Sequence, residues 1–388
     1  VVKVSSSMSD HESDGSMPDD LCDWLADMED DDESSHRPRP AFAVADTDED
    51  QFVTRAYEHS VNEDAPWEAA AADSLKHNGF CILRRAVNPD LCAACATDGL
   101  GRLLRLLAMT RELQLAPRKD IFRFAEICSR TAGGLRYDMR LPLRIEGAGE
   151  HAKATVAMLS RADAGQPLGT ERTEAQADTK AHTAAEVGVA ATDTWAALHR
   201  AVDAVARPVV QQSGLLEGAA AYEQQAAGSQ ATGDSARVAG ESAPGGAIVL
   251  DSAGCVTSVP GAPDQHFHPD GTAAGLINAF VALVPVDQHN GPTELRPGSH
   301  VWRESAFGPR PRWDEGRTAT VLPELAVGEI LLFDYRTYHR GRANHSNAPR
   351  PVGYLVYARR GVSDNHNFPV QSLLAELDAS ASEVDGER

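Results

Sequence analysis

The last third of the chain divides into short strand-like runs at a regular cadence, and nothing else in the sequence restricts its fold as much. The runs cover residues 247–250, 256–259, 265–268, 276–285, 294–295, 329–333 and 351–358. Turn pairs separate them: Pro260-Gly261, Asp270-Gly271, Asn290-Gly291, Pro297-Gly298 and Val327-Gly328. β-Branched and aromatic residues suit a pleated, half-buried surface, whereas Gly, Pro, Asn and Asp supply the dihedral angles that reverse a chain. Many short strands with such breaks predict a sandwich or barrel.

The residues ahead of this region add helices, so the domain is expected to be mainly β with flanking helices, an α+β fold. A helix over 70–77 should stop at Asn78-Gly79, followed by a strand over 80–83. Asn88 caps the next helix with Pro89 in its first turn, and Gly99 and Gly101 are expected to interrupt it. Residues 135–143 alternate apolar and charged side chains as a strand does. A further helix is expected around 195–210, flanked by low-complexity insertions near 160–190 and 222–246. The folded domain is thus expected to span 66–365, between an acidic disordered tail over 1–65 and a polar C-terminal tail over 366–388.

Charge narrows the partners. Residues 1–50 hold 16 acidic residues against Lys3, Arg37 and Arg39, so most of the formal net charge of -21 lies there. The rest is only mildly acidic, which argues against a nucleic-acid surface. No signal-peptide pattern and no apolar run of about 18–20 residues is present, so no membrane span is expected. Leu21, Trp24, Leu25 and Met28 recur at helical spacing within the acidic tail, where a protein partner is an open reading beside a transient helix without function. Six cysteines in 388 residues are too few for a disulfide scaffold and point to a reducing, intracellular and most simply cytoplasmic setting. Cys92 and Cys95 form a CxxC pair without a second pair or a nearby His, so core packing is the expected role.

The chemistry concentrates in Gln265-His266-Phe267-His268-Pro269-Asp270. Residues i and i+2 of an extended strand share a face, so His268 and Asp270 can reach one ion. His339, at the end of LLFDYRTYH, is the candidate third ligand; the 71 residues between the two histidines leave room for intervening strands to bring the chain back. Two histidines and one carboxylate with open positions form the set used by non-haem Fe(II) oxygenases. Arg350 follows His339 by 11 residues at the edge of the final strand, where a guanidinium can grip a carboxylate in two-pronged fashion. A chelating keto acid such as 2-oxoglutarate suits that combination. His266 is expected to face away from the ion and His300 to bond a loop. The alternating face Arg136–Asp138–Arg140 is either a solvated strand face or a mouth at which Arg136 and Arg140 read an anionic substrate.

The segments QHFHPDG, NGPTELRPGSH and GEILLFDYRTYHRGRANHSNAPR resemble the phytanoyl-CoA dioxygenase family of Fe(II)/2-oxoglutarate oxygenases, from about residue 255 to 360. Residues 79–94 resemble that family's N-terminal strand and helix. The resemblance implies a double-stranded β-helix, a cupin-like jelly-roll of two facing sheets. It implies His268, Asp270 and His339 as iron ligands and as the catalytic centre, and Arg350 on the distal carboxylate of 2-oxoglutarate. It also implies Thr293 and Gln265 as cosubstrate contacts. Position 341, often Ser in the family, is Gly here, which removes one expected hydrogen bond. Asp270 occupies the position that related halogenases vacate for a halide. The implied reaction consumes Fe(II)-bound 2-oxoglutarate and O2, hydroxylates a small-molecule or acyl substrate, and releases succinate and CO2. Two other readings stand beside it: desaturation, epoxidation or cyclisation on the same scaffold, and a catalytically silent β-helix that binds a partner through the acidic tail.

Overall fold

A short strand, β1 (Glu58–Ser60), helix α1 (Trp67–Asn78) and strand β2 (Phe80–Arg84) begin the ordered pairing. Helix α2 (Pro89–Glu112) follows, its first turn capped by the Asn88 side chain, which accepts from the Asp90 N–H. Next come β3 (Ile127–Ser129), β4 (Arg136–Leu141), helix α3 (Ala177–Ser213) and the long β5 (Ile248–Ser258). The remainder is β6 (Leu276–Ala282), β7 (Thr293–Leu295), β8 (Ile330–Asp334), β9 (His339–Gly341), β10 (Arg350–Arg359) and helix α4 (Leu373–Gly386). The computed structural model describes residues 54–386 without 62–65, 118, 131–134, 154–158, 160–176, 217–247, 273, 302–318 and 365–366.

Eight strands form one sheet in the order β1-β2-β8-β6-β10-β5-β4-β3, antiparallel throughout except for the parallel pair β1 and β2. β7 and β9 pair as a second, smaller sheet, which a bridge between His268 and His339 extends. Alternation along the strands sorts side chains between two faces. One face of the large sheet lies against α2 and α3, where Gly353 leaves room for Trp195 and Leu198. The other turns Asn278, Phe280, Val352 and Tyr354 toward the small sheet across a cavity. A buried cluster around Phe80, Ile82, Leu295, Leu331 and Phe333 joins the two sheets. Each such side chain contributes about 1.5–3 kcal/mol on burial. These are two facing sheets braced by helices, as expected.

Several expectations need correction. Strand β5 (Ile248–Ser258) runs through both expected segments with an irregularity opposite Val356/Tyr357, because Ala253 and Gly254 are paired on both sides, and Ser252 with Val356, rather than turning. Residues 265–268 make one bridge, at His268, beyond which the Asp270 N–H leaves the ladder for the Tyr335 carbonyl. α2 runs unbroken through Gly99 and Gly101; Gly99 is small because a Cβ there would lie 3.2 Å from the Trp195 ring. α3 begins at Ala177, inside the expected insertion, and β1 lies inside the expected tail. The C-terminal residues are part of the fold: α4 packs on α2, and Glu126 accepts the Leu373 N–H at 2.8 Å. The insertion over 222–246 and the stripe from Leu21 to Met28 lie outside the described residues. Among the described residues no helix is long and apolar enough to cross a membrane. Cys81, Cys92, Cys95, Cys128 and Cys255 are free and buried, in keeping with core packing of the CxxC pair.

Candidate active site

Backbone pairing sets the metal ligands. The His268 N–H donates to the His339 carbonyl at 2.9 Å, and the His339 N–H returns to the His268 carbonyl at 3.0 Å. The two imidazoles therefore stand side by side, ring centres 4.9 Å apart. Two residues on, the Asp270 N–H donates to the Tyr335 carbonyl at 2.9 Å, which turns the carboxylate to the same point. His339 Nε2 lies 3.6 Å from Asp270 Oδ1, and the ligand atoms of all three residues lie within 4.8 Å of one another.

The donor chemistry fits Fe(II). His268 Nδ1 and His339 Nδ1 each sit 2.9 Å from a backbone carbonyl two residues upstream, on His266 and Thr337. A carbonyl only accepts, so each Nδ1 carries the proton and each Nε2 presents a lone pair. Burial, and then the neighbouring His339, push the His268 pKa down and favour the neutral, ligating form. Two neutral imidazoles and one carboxylate leave the remaining metal positions open. Asp270 is itself held by Asn278, whose Nδ2 donates to Oδ2 at 2.6 Å. Sequence reasoning missed Asn278; its only signal is an amide within an otherwise apolar strand.

A cavity of about 730 Å³ opens beside the triad, within the range usual for small-molecule sites. Two arginines mark its inner end. Arg136 on β4 and Arg350 on β10 both pair in register with Ser258 on β5, so they share one rung of the sheet, one strand apart. Arg136 is 2% exposed and Arg350 4%. Arg136 Nη2 donates to the Arg342 carbonyl at 2.8 Å, while Arg136 Nε and Nη1 and Arg350 Nε have no hydrogen-bond partner among the described residues. Burial lowers the pKa of both, to about 9 for Arg136, where Arg350 adds repulsion, and to about 10 for Arg350. Neither makes an ion pair with a carboxylate among the described residues. Such a pair of buried cations favours an anion between them.

The other expected residues divide. Thr293 lines the cavity opposite Gly341, its register partner. Gln265 also lines it, but both ends of its amide are engaged: Oε1 accepts the Gly341 N–H at 3.0 Å and Nε2 donates to the Arg130 carbonyl at 3.3 Å. Arg136 and Arg140 are not on a solvated strand face: both are buried, Arg136 against Gly341 and Arg342, Arg140 against Phe368 and His151. Arg140 is 8% exposed, stacks on Phe368 and bonds His151, outside the main cavity. Asp138 takes two bonds from Arg130 and one from the Tyr354 hydroxyl, which crosses β5 in space that a Cβ at Gly254 would fill. Burial raises the Asp138 pKa, opposed by Arg130. His266 does line the cavity, contrary to expectation, since it is two residues from His268 and shares its side; it is not one of the clustered ligands. His300 bonds the Lys76 carbonyl at 3.1 Å, in the last turn of α1 rather than in a loop, and is not one of the clustered ligands.

The profile of the phytanoyl-CoA dioxygenase (PhyH) family matches residues 75–352. Dioxygenase cdmA of Talaromyces verruculosus is 32% identical over 103 residues, 24% of this chain and 33% of that protein. Multifunctional dioxygenase prhA of Penicillium brasilianum is 32% identical over 104 residues, 24% of this chain and 35% of that one. The match spans about a third of the length of these curated relatives. The solved structure of SnoN, a non-haem α-ketoglutarate-dependent epimerase from nogalamycin biosynthesis, is 15% identical at a TM-score of 0.39. That pairing covers 77% of this chain and 87% of the other, and is too slight to carry chemistry across. Because the family profile covers most of its length, the chain belongs to the phytanoyl-CoA dioxygenase family, and its intact facial triad is consistent with that family's Fe(II)/2-oxoglutarate site.

Proposed function

We propose that this oxygenase acts on a small, uncharged molecule, with outcomes that extend beyond hydroxylation to desaturation, epoxidation or ring closure. Iron and 2-oxoglutarate, when bound, supply oxidation of a C–H bond by O2, with the keto acid leaving as succinate and CO2. His268, Asp270 and His339 hold the metal. Arg350 and Arg136 together hold the distal carboxylate, Thr293 faces it from the small sheet, and Gln265 keeps the Gly341 and Arg130 backbones in place around it. The observation that carries this reading is the conjunction, in one cavity, of a metal-competent triad and two buried guanidinium groups without a carboxylate partner.

An uncharged substrate is supported by the charged residues around the cavity that already have polar partners, Arg123 among them through the Asn367 carbonyl. Arg130 is paired with Asp138, Arg342 with Asp264 and Glu294, and Asp364 accepts from Tyr335 and Asn367. The wider range of outcomes is supported by the name of the relative prhA, a multifunctional dioxygenase.

The test is an anaerobic titration of metal-free protein with Fe(II) and 2-oxoglutarate, followed by the visible charge-transfer absorption of the chelate. Wild type gains the band and His268→Ala does not. Arg350→Ala requires about ten to a hundred times more 2-oxoglutarate, because a hydrogen bond to a charged group contributes about 1.5–3 kcal/mol. A well-folded wild type without the band sinks the reading.

A further inference from the structure

Asn278 stands alone as a polar residue in β6, between Leu276, Ile277, Ala279, Phe280, Val281 and Ala282. It is 3% exposed. Burying an amide in a central strand is costly unless it meets a specific partner. Its partner is the Asp270 carboxylate, and the 2.6 Å separation to Oδ2 is that of a short, charge-assisted bond. β6 is flanked by β8 and β10, and Asn278 is in register with Phe333 on one side and Val356 on the other. Its position is therefore rigid. Asp270 lies outside the regular strands, held at its backbone by Tyr335 and, at 3.4 Å, by Asn367. Among the described residues the Asn278 bond is the one hydrogen bond its carboxylate accepts.

We infer that Asn278 is a positioning residue that holds Asp270 to ligation through a single oxygen and so keeps metal positions open for the cosubstrate and O2. The inference rests on the oxygenase reading above. With Oδ2 committed to Asn278, Oδ1 is the oxygen that faces His339 Nε2, 3.6 Å away. One oxygen and two imidazole nitrogens would hold the ion through three positions and would leave its others open to a chelating keto acid and O2. A released Oδ2 is free to chelate the ion as well and take one of those places.

Wild type, Asn278→Leu and Asn278→Thr are compared in metal-free melting, Fe(II) affinity and the anaerobic 2-oxoglutarate band. Leu keeps the volume without a donor; Thr suits a strand but falls short of the carboxylate. Both variants are expected to bind Fe(II) about 10–100-fold more weakly, the usual effect of losing an outer partner of a metal ligand. Both should also show a weaker band at saturating iron, with metal-free melting close to wild type. Wild-type iron affinity and band in either folded variant overturns the inference, whatever its melting temperature. If the Leu variant does not fold, the Thr variant decides between the same two outcomes. Failure of wild type itself to bind Fe(II) overturns the oxygenase reading instead, so the two failures are distinct.

Discussion

A Cβ added to Gly341 would fall on the Arg136 guanidinium and within 2.9 Å of Gln265 Oε1. The family likeness marks position 341 as a lost hydrogen bond; in the fold, the missing side chain clears space for a cation from β4. Gly341→Ser is expected to displace Arg136 and raise the 2-oxoglutarate dissociation constant at least about tenfold, the loss of one charged hydrogen bond. Iron binding should be unchanged; calorimetric titration of each ligand checks both, and unchanged 2-oxoglutarate affinity refutes the displacement. The triad was legible from sequence because metal ligation restricts residue type so tightly that HxD and a distal His stand out. The Arg136–Gly341 relation was not, because it joins residues 205 apart with no local periodicity. Asn278 was hidden for another reason: an isolated amide in an apolar run looks like an imperfection until its partner is known.

At the scale of elements, strands buried on one or both faces announced themselves through branched and aromatic residues, and β2, β6, β8 and β10 fall within a residue or a few of expectation. β1 and β3, three residues each, are too short to show a period and exist because a neighbouring strand offers an unpaired edge. β5 spans two runs that the sequence separates at Asp251, Ser252 and Gly254, residues of low strand preference. Tertiary context overrides that preference: Asp251 accepts from Ser363 and from the Asp364 N–H, and Gly254 lies beneath Tyr354. In α2 the two glycines lower helix propensity by about 1 kcal/mol each, which packing against Trp195 outweighs at Gly99. Local signals therefore named most elements and misjudged those whose existence depends on a distant surface.

Across the whole molecule, buried thiols report how tightly the fold excludes water. Burial raises the pKa of Cys92 and Cys128 to about 11 and of Cys95 and Cys255 to about 12, from a model-compound value of 9.0, and that of Cys81 further still. A raised folded pKa stabilises the fold below the unfolded value, and that contribution is lost as pH climbs from about 9 toward 12. At pH 8 these five residues should resist alkylation in native protein and react fully in denaturant, as peptide mass spectrometry can read, and the denaturant midpoint should fall above pH 9. Rapid native labelling would contradict the packing described. The depth of the two arginines has a kinetic meaning as well. Arg136 and Arg350 lie at the inner end of a cavity whose rim includes Ile121, 65% exposed. If the two arginines hold the keto acid as proposed, it would travel through space that the substrate later fills, so ordered addition with the substrate second is expected. A substrate analogue lacking the reactive C–H bond should then inhibit uncompetitively toward 2-oxoglutarate in initial-rate measurements; a competitive pattern would mean that the two ligands contend for the same ground.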